Sequence, residues 1–339
     1  MSGTDLPSKL LQALNDNNQQ AISRCVKDDS VHQWIDNKVN HKQIQNARTV
    51  FRDTSKNITC LGYATACNDL NTVQQLVQAG ADVTATDSQG YTPLHRACVS
   101  TIESKQKVYY LLGCNPSLCG ARDCDGNTPL HWAALSGIHA VISVLIQHGA
   151  KVNERGRFGR TALHSACNNG YVDCVHELMR HGADVEARDS DSEATPLQLS
   201  ASFNRPDCVR VLLDTYDASI NATNKYGNTA LHRAASAGNL QVVKLLTSYS
   251  QIDVHARNKV YETAADVAEE KGHLDIVNYL TPQRSLSRAT TSLTEPQRSV
   301  SRATTSLTEP QRSVSRATTS LTESNITDDK KVYSMYIYI

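Results

Sequence analysis

The 339-residue chain has no excess of charge of either sign, with Lys plus Arg and Asp plus Glu both at 34. That balance argues against a nucleic-acid partner held by a basic surface, and equally against an acidic solvating chain. An N-terminal apolar signal and any 18-residue apolar run are also missing, so neither secretion nor a membrane span is expected. No G-x-x-x-x-G-K-[ST], H-E-x-x-H, G-x-S-x-G or dinucleotide-binding glycine pattern occurs. An enzyme is not expected, and no catalytic residue and no cofactor is assigned.

What the chain does have is a period. Thr59, Thr92, Thr128, Thr161, Thr195, Thr229 and Thr263 are separated by 33, 36, 33, 34, 34 and 34 residues. The clearest copies read TPLHRA from Thr92, TPLHWA from Thr128, TALHSA from Thr161 and TALHRA from Thr229. A fixed period of this length marks a solenoid, in which each unit buries its apolar face only against its neighbours. In the unit from Thr128, the threonine caps a helix and Pro129 takes its first position, where a missing N–H costs nothing. Gly137 stops that helix. A second helix carries Val141, Ile142, Val144, Leu145 and Ile146, and the polar stretch 151–159 reads as an extended hairpin to the next unit. The same stop recurs at Gly170, Gly238 and Gly272, with Asn68 and Asn204 as glycine substitutes.

These motifs, with LIQHGAKVN and LMRHGADVE closing their units, resemble the ankyrin repeat. The resemblance implies an all-α solenoid of helix–turn–helix units with hairpin fingers. It spans residues 59–281 as about seven repeats. Residues 1–58 read as a degenerate N-terminal capping repeat (Ser8, Leu10, Ala13, Ile22 and Val26 fall at repeat offsets) plus an insertion near residues 29–57. Residues 282–339 read as a disordered tail. The unit from Thr92 has three extra residues, assigned to its inter-helix turn and its finger.

His95, His131, His164 and His232 are successive copies of one position, so they do not converge on a common atom; the resemblance gives them an inter-unit hydrogen bond. Cys114, Cys119 and Cys124 lie at five-residue spacing, at the loose edge of zinc geometry, and no metal site is assigned. Cys67, Cys98, Cys167, Cys174 and Cys208 fall on helices as small core residues. Reduced thiols and a cytoplasmic location, or a nuclear one, are expected. The glycosylation sequons at Asn57, Asn221 and Asn325 are then chance matches.

The resemblance places partner binding on the concave face, at finger tips and at exposed positions near the end of each first helix. Carried over by register, the candidates are Tyr91, Asp123, Asp125, Leu135, Arg155, Arg157, Phe158, Arg160, Asp191, Glu193, Phe203, Lys225 and Tyr226. Arg155, Arg157 and Arg160 crowd one finger around Phe158, and the next carries Asp189, Asp191 and Glu193. Such charge blocks around exposed aromatics suit a peptide with two charged ends and an apolar middle; alternatively, the opposed fingers pair with each other. Asn153 and Asn221 sit where ankyrin-repeat asparagines are hydroxylated, although Lys151 and Ser219 replace the usual upstream acid.

After Leu280 a second repeat begins, three 14-residue copies over Pro282–Glu295, Pro296–Glu309 and Pro310–Glu323. Its Ser and Thr content and lack of aromatics argue against a packed core. Arginine lies three residues before Ser287, Ser301 and Ser315, a spacing that suits a basophilic kinase and then a phosphoserine-reading adaptor; the alternative is a neutral duplicated linker. The final apolar stretch, Val332–Ile339, reads as a sticky end or as a PDZ-type ligand. Altogether the sequence reads as a non-enzymatic scaffold or adaptor for a protein partner, its tail regulated by phosphorylation. The alternative is a substrate-recognition arm of a ubiquitin ligase or similar assembly, for which no recruiting box is recognisable.

Overall fold

The structure, a computed structural model, describes residues 6–16, 18–26, 39–40, 57–67 and 69–281. Sixteen helices follow one another in eight pairs among those residues. The first pair is α1 (Leu6–Asn15) and α2 (Gln19–Val26), followed by a two-residue antiparallel ladder of β1 (Val39–Asn40) and β2 (Asn57–Ile58). The next pairs are α3 (Cys60–Cys67) with α4 (Leu70–Gln78), α5 (Pro93–Ala97) with α6 (Ser104–Cys114), and α7 (Pro129–Ser136) with α8 (Ile142–Gln147). After them come α9 (Ala162–Asn169) with α10 (Val172–Arg180), and α11 (Pro196–Ser202) with α12 (Pro206–Tyr216). The last two pairs are α13 (Ala230–Ser236) with α14 (Leu240–Thr247), and α15 (Ala264–Glu270) with α16 over 274–281.

First helices stack on first helices, from α3 through α15, and second helices on second helices. At five to eight residues, helices such as α5 and α7 are too short to persist alone in water, so the stack supplies their stability. Alanines make this possible: Ala97, Ala133, Ala166, Ala201, Ala234 and Ala268 are fully enclosed where neighbouring first helices meet. Leu94, Leu130, Leu163, Leu197 and Leu231 lie beside them, each buried and each contributing about 1.5–3 kcal/mol of apolar transfer.

Gly137 ends α7 at φ 76°, and an added Cβ would lie 2.8 Å from the Tyr171 ring of the next unit. Helix stop and inter-unit packing thus share one residue. Asn204 takes the same left-handed conformation at φ 55°, as its place in the repeat predicts; Asn68 lies outside the described residues.

The fingers are tight hairpin turns without a strand ladder, each closed by backbone bonds such as Asp123 N–H to the Asn127 carbonyl (3.0 Å) with Gly126 N–H to the Asp123 carbonyl (3.0 Å), or Gly156 N–H to the Arg160 carbonyl (2.9 Å) with Gly159 N–H to the Gly156 carbonyl (3.0 Å). In the unit with extra residues, the turn between α5 and α6 holds Ser100, whose hydroxyl donates to the Ala66 carbonyl at 3.1 Å. Lys107 is wholly buried beneath that turn and donates to the Thr65 carbonyl at 2.8 Å, its pKa drawn down to about 8 by burial. A cation at the Thr65 carbonyl and a hydroxyl at the Ala66 carbonyl thus satisfy two orphan acceptors at the C-terminus of α3.

Candidate functional site on the finger face

The recurring threonine and histidine form the joint between units. Thr92, Thr128, Thr161 and Thr229 each donate a backbone N–H to Nδ1 of the histidine three residues on, at 3.1–3.3 Å. Nδ1 is therefore the acceptor and Nε2 carries the proton. Nε2 donates to the carbonyl just before the next threonine: Asn127 (3.3 Å), Arg160 (3.0 Å), Ala194 (3.1 Å) and Glu262 (3.1 Å). Burial pushes His95, His131 and His164 down to about 4 and lowers His232, so all four are neutral near pH 7. Gln198 takes this role in the remaining internal unit, with Oε1 on Thr195 N–H and Nε2 on the Asn228 carbonyl at 2.9 Å. A search for histidine alone misses it, although its place three residues after Thr195 marks it.

A second ladder joins the fingers. Arg122 Nη1 donates to the Gly126 carbonyl of its own finger and to Arg155 of the next unit (2.8 Å). Arg155 repeats this on Gly159 and Arg188 (2.6 Å), and Arg188 on Glu193 and Thr223 (2.7 Å). Backbone N–H groups of Cys124, Ser190, Lys225 and Lys259 also reach carbonyls of the preceding finger. Fingers three and four approach so closely that a Cβ on Gly159, at φ 66°, would lie 1.9 Å from Ser190 Oγ.

On this frame the candidate residues separate into three groups. Tyr91, Asp123 and Arg160, expected on exposed tips, are instead buried. Tyr91 packs edge-on against Trp132 (ring centroids 5.0 Å apart) beneath Arg96, and Asp123 accepts the Trp132 indole N–H at 2.8 Å. Arg160 pairs at 3.4 Å with the enclosed Asp189, so this opposed pair between the basic and acidic fingers is spent inside the stack. Leu135 and Phe203 are half-buried, and Leu135 packs on the core.

The remaining candidates reach the surface. Phe158 is 38% exposed and held at φ 55°, a conformation uncommon outside glycine, with the Arg157 and Arg160 guanidinium groups 4.8 and 5.4 Å from its ring. Arg157 also pairs with Asp125 at 3.0 Å. Asp191 and Glu193 are exposed, and Lys225 donates to the Asp191 carbonyl while lying 5.0 Å from the exposed Tyr226 ring. Val260 and Tyr261, on the last finger, are 68% and 77% exposed. Val260 escapes sequence reasoning because one apolar residue in a polar finger carries no signal of its own.

Asn153 and Asn221 both bridge units. Asn153 donates to the Gly182 carbonyl (3.1 Å) and accepts Asp184 N–H (2.8 Å), and Asn221 does the same with Gln251 (2.7 Å) and Asp253 (2.9 Å). Cys119 Sγ donates to the His148 carbonyl at 3.2 Å, while Cys114 and Cys124 are exposed. Among the described residues, no group of three or more His, Cys, Asp or Glu is placed to hold a metal ion. None of their helices is long and apolar enough to cross a membrane. Ser287, Ser301 and Ser315 lie outside the described residues.

Comparison with curated proteins finds no match. The family model described as ankyrin repeats (3 copies) matches residues 18–117, 101–189, 188–258 and 225–290. Together these matches cover the helices from α2 to α16, the threonine–histidine joints and the fingers, and the chain belongs to the ankyrin-repeat family.

Proposed function

We propose that the chain is a non-enzymatic adaptor that holds a protein partner along its finger face, from Asp125 to Tyr261. Ankyrin repeats are generally protein–protein interaction modules. The observation that carries the reading to this face is the row of exposed aromatics Phe158, Tyr226 and Tyr261 on the third, fifth and sixth fingers. Phe158 and Tyr261 keep their side chains at the surface despite positive φ angles of 55° and 66°, where glycine would relieve the backbone. Arg157, Lys225, Asp191 and Glu193 surround the row with both charge signs. A partner segment with spaced apolar side chains and charges of both signs matches that pattern.

The enclosed histidines have their nitrogens committed to the joints, which supports a non-catalytic role. Seven of the ten cysteines are buried as free thiols, which supports a reducing compartment, the cytoplasm or the nucleus. Regulation through phosphorylation of Ser287, Ser301 or Ser315 belongs to the same proposal and rests on the arginine spacing alone. Combining Phe158→Ala, Tyr226→Ala and Tyr261→Ala tests the reading. Loss of partner binding by a chain of unchanged stability supports it, whereas undiminished binding places the partner elsewhere.

A further inference from the structure

The stack ends on an open edge. Cys124 N–H reaches the Gln89 carbonyl (2.9 Å), Ser190 reaches Phe158 (2.7 Å), Lys225 reaches Ser192 (2.9 Å) and Lys259 reaches Tyr226 (3.0 Å). By that register the next acceptor is the Val260 carbonyl, and among the described residues no backbone N–H reaches it. Arg257 tells the same story. It holds the carbonyl of its own finger, Tyr261, at 2.8 Å, as Arg122, Arg155 and Arg188 hold theirs, but among the described residues there is no following carbonyl on it.

The surface around that edge is unlike the rest of the array. Val260, Tyr261 and Leu274 are 68%, 77% and 65% exposed, the three most exposed large hydrophobic residues among those described. The terminal pair α15 and α16 carries Asp266, Glu269, Glu270 and Asp275, with Lys271 as its one lysine or arginine. The edge is thus apolar and acidic, with one backbone acceptor and one arginine arm in register for another finger.

The length of the chain says what can cover it. From the ends of α8, α10, α12 and α14 the chain reaches the next finger in 9, 9, 8 and 11 residues, arriving at Gly156, Asp189, Asn224 and Asn258. The same span from Thr281 arrives at residues 289–292, inside the first 14-residue tail copy. Arg284 and Arg288 of that copy complement the acidic end. It also carries Leu286 where the later copies have Val300 and Val314. The ankyrin family match itself runs to residue 290, past the last described helix.

We propose that residues 282–295 of this chain dock on the open end of the array as a terminal finger, next to Tyr261 where the partner-binding face ends. A backbone N–H of the segment meets the Val260 carbonyl, a backbone carbonyl meets Arg257, and Arg284 and Arg288 face the acidic terminal pair. The finger-to-finger backbone bonds and the arginine–carboxylate contacts supply the affinity, and the short connection from Thr281 supplies a high local concentration.

Hydrogen exchange on the full chain tests this directly, because Leu286 gives the first tail copy a mass distinct from the other two. The expected result is exchange about tenfold slower in residues 286–295 than in the matching parts of the later copies. Arg284→Glu with Arg288→Glu should erase that protection and speed exchange at 257–262. Arg312→Glu with Arg316→Glu should change neither. Equal exchange in all three copies overturns the proposal. So does an equal effect of the two variant pairs, or protection that rises with protein concentration, which would assign the edge to a second copy.

Discussion

Arg157 pairs with Asp125 across neighbouring fingers at 3.0 Å, while Arg160, three residues on, pairs with Asp189 at 3.4 Å inside the stack. The two pairs share a finger but not an environment. Asp125 and Arg157 side chains are 35% and 32% exposed, against 0% and 3% for Asp189 and Arg160.

Asp125→Ala should therefore cost less than about 1 kcal/mol in urea unfolding, since an exposed pair gains little. Asp189→Ala should cost about 3–5 kcal/mol, because it removes a fully enclosed carboxylate that pairs with Arg160 and caps the Ser192 and Ala194 N–H groups. Equal costs would show that burial does not separate the pairs.

Acid should loosen the joints. His95, His131 and His164 have folded values near 4, below the ordinary 6.5, so the unfolded chain takes up protons first as pH falls. Stability is full above about pH 6.5, declines through the window down to about 4, and levels off below it, by up to about 3 kcal/mol per histidine. Urea midpoints at pH 7.5, 5.5 and 4.5 read this directly. A midpoint independent of pH over that range would contradict the neutral Nε2–H assignment.

His131→Gln should keep the joint and remove its share of the acid sensitivity, because Gln198 already makes both bonds in its own unit. His131→Ala should cost about 2 kcal/mol or more at pH 7.5, removing the acceptor of the buried Thr128 N–H and one of the donors to the Arg160 carbonyl. Thermal scans of the two variants distinguish a hydrogen-bonding role from simple volume.

Gly137→Ala should destabilise by about 1–3 kcal/mol, combining the left-handed backbone with contact against Tyr171 at 2.8 Å. Replacing Tyr171 by Ala in the same chain should recover part of that loss. No recovery would mean that the backbone conformation alone sets the cost.

The threonine period made the joints readable: Thr128, His131 and Gly137 occupy fixed offsets, and their roles depend on backbone geometry that every unit shares. Depth on the fingers was not readable in the same way. Asp123 and Asp125 are two residues apart in the same polar turn, yet one points at Trp132 and the other at solvent. Asp123 turns inward because its carboxylate caps its own turn, accepting the Asp125 and Asn127 N–H groups, as Asn224 and Asn258 do in fingers whose next helix offers no tryptophan. Arg160 has the sequence surroundings of an exposed basic cluster, and only the pairing of opposed fingers sends it inward, since its partner Asp189 comes from a different unit. Tyr91 likewise has the composition of an anchor and the environment of a core residue.

The most direct test of the finger face is site-specific photo-crosslinking in cells from Phe158, Tyr226 and Tyr261, with Arg210 on α12 as an exposed position away from the fingers. The expected result is one protein captured from at least two of the three finger positions and not from Arg210. Capture from Arg210 with none from the fingers would contradict partner binding on this face.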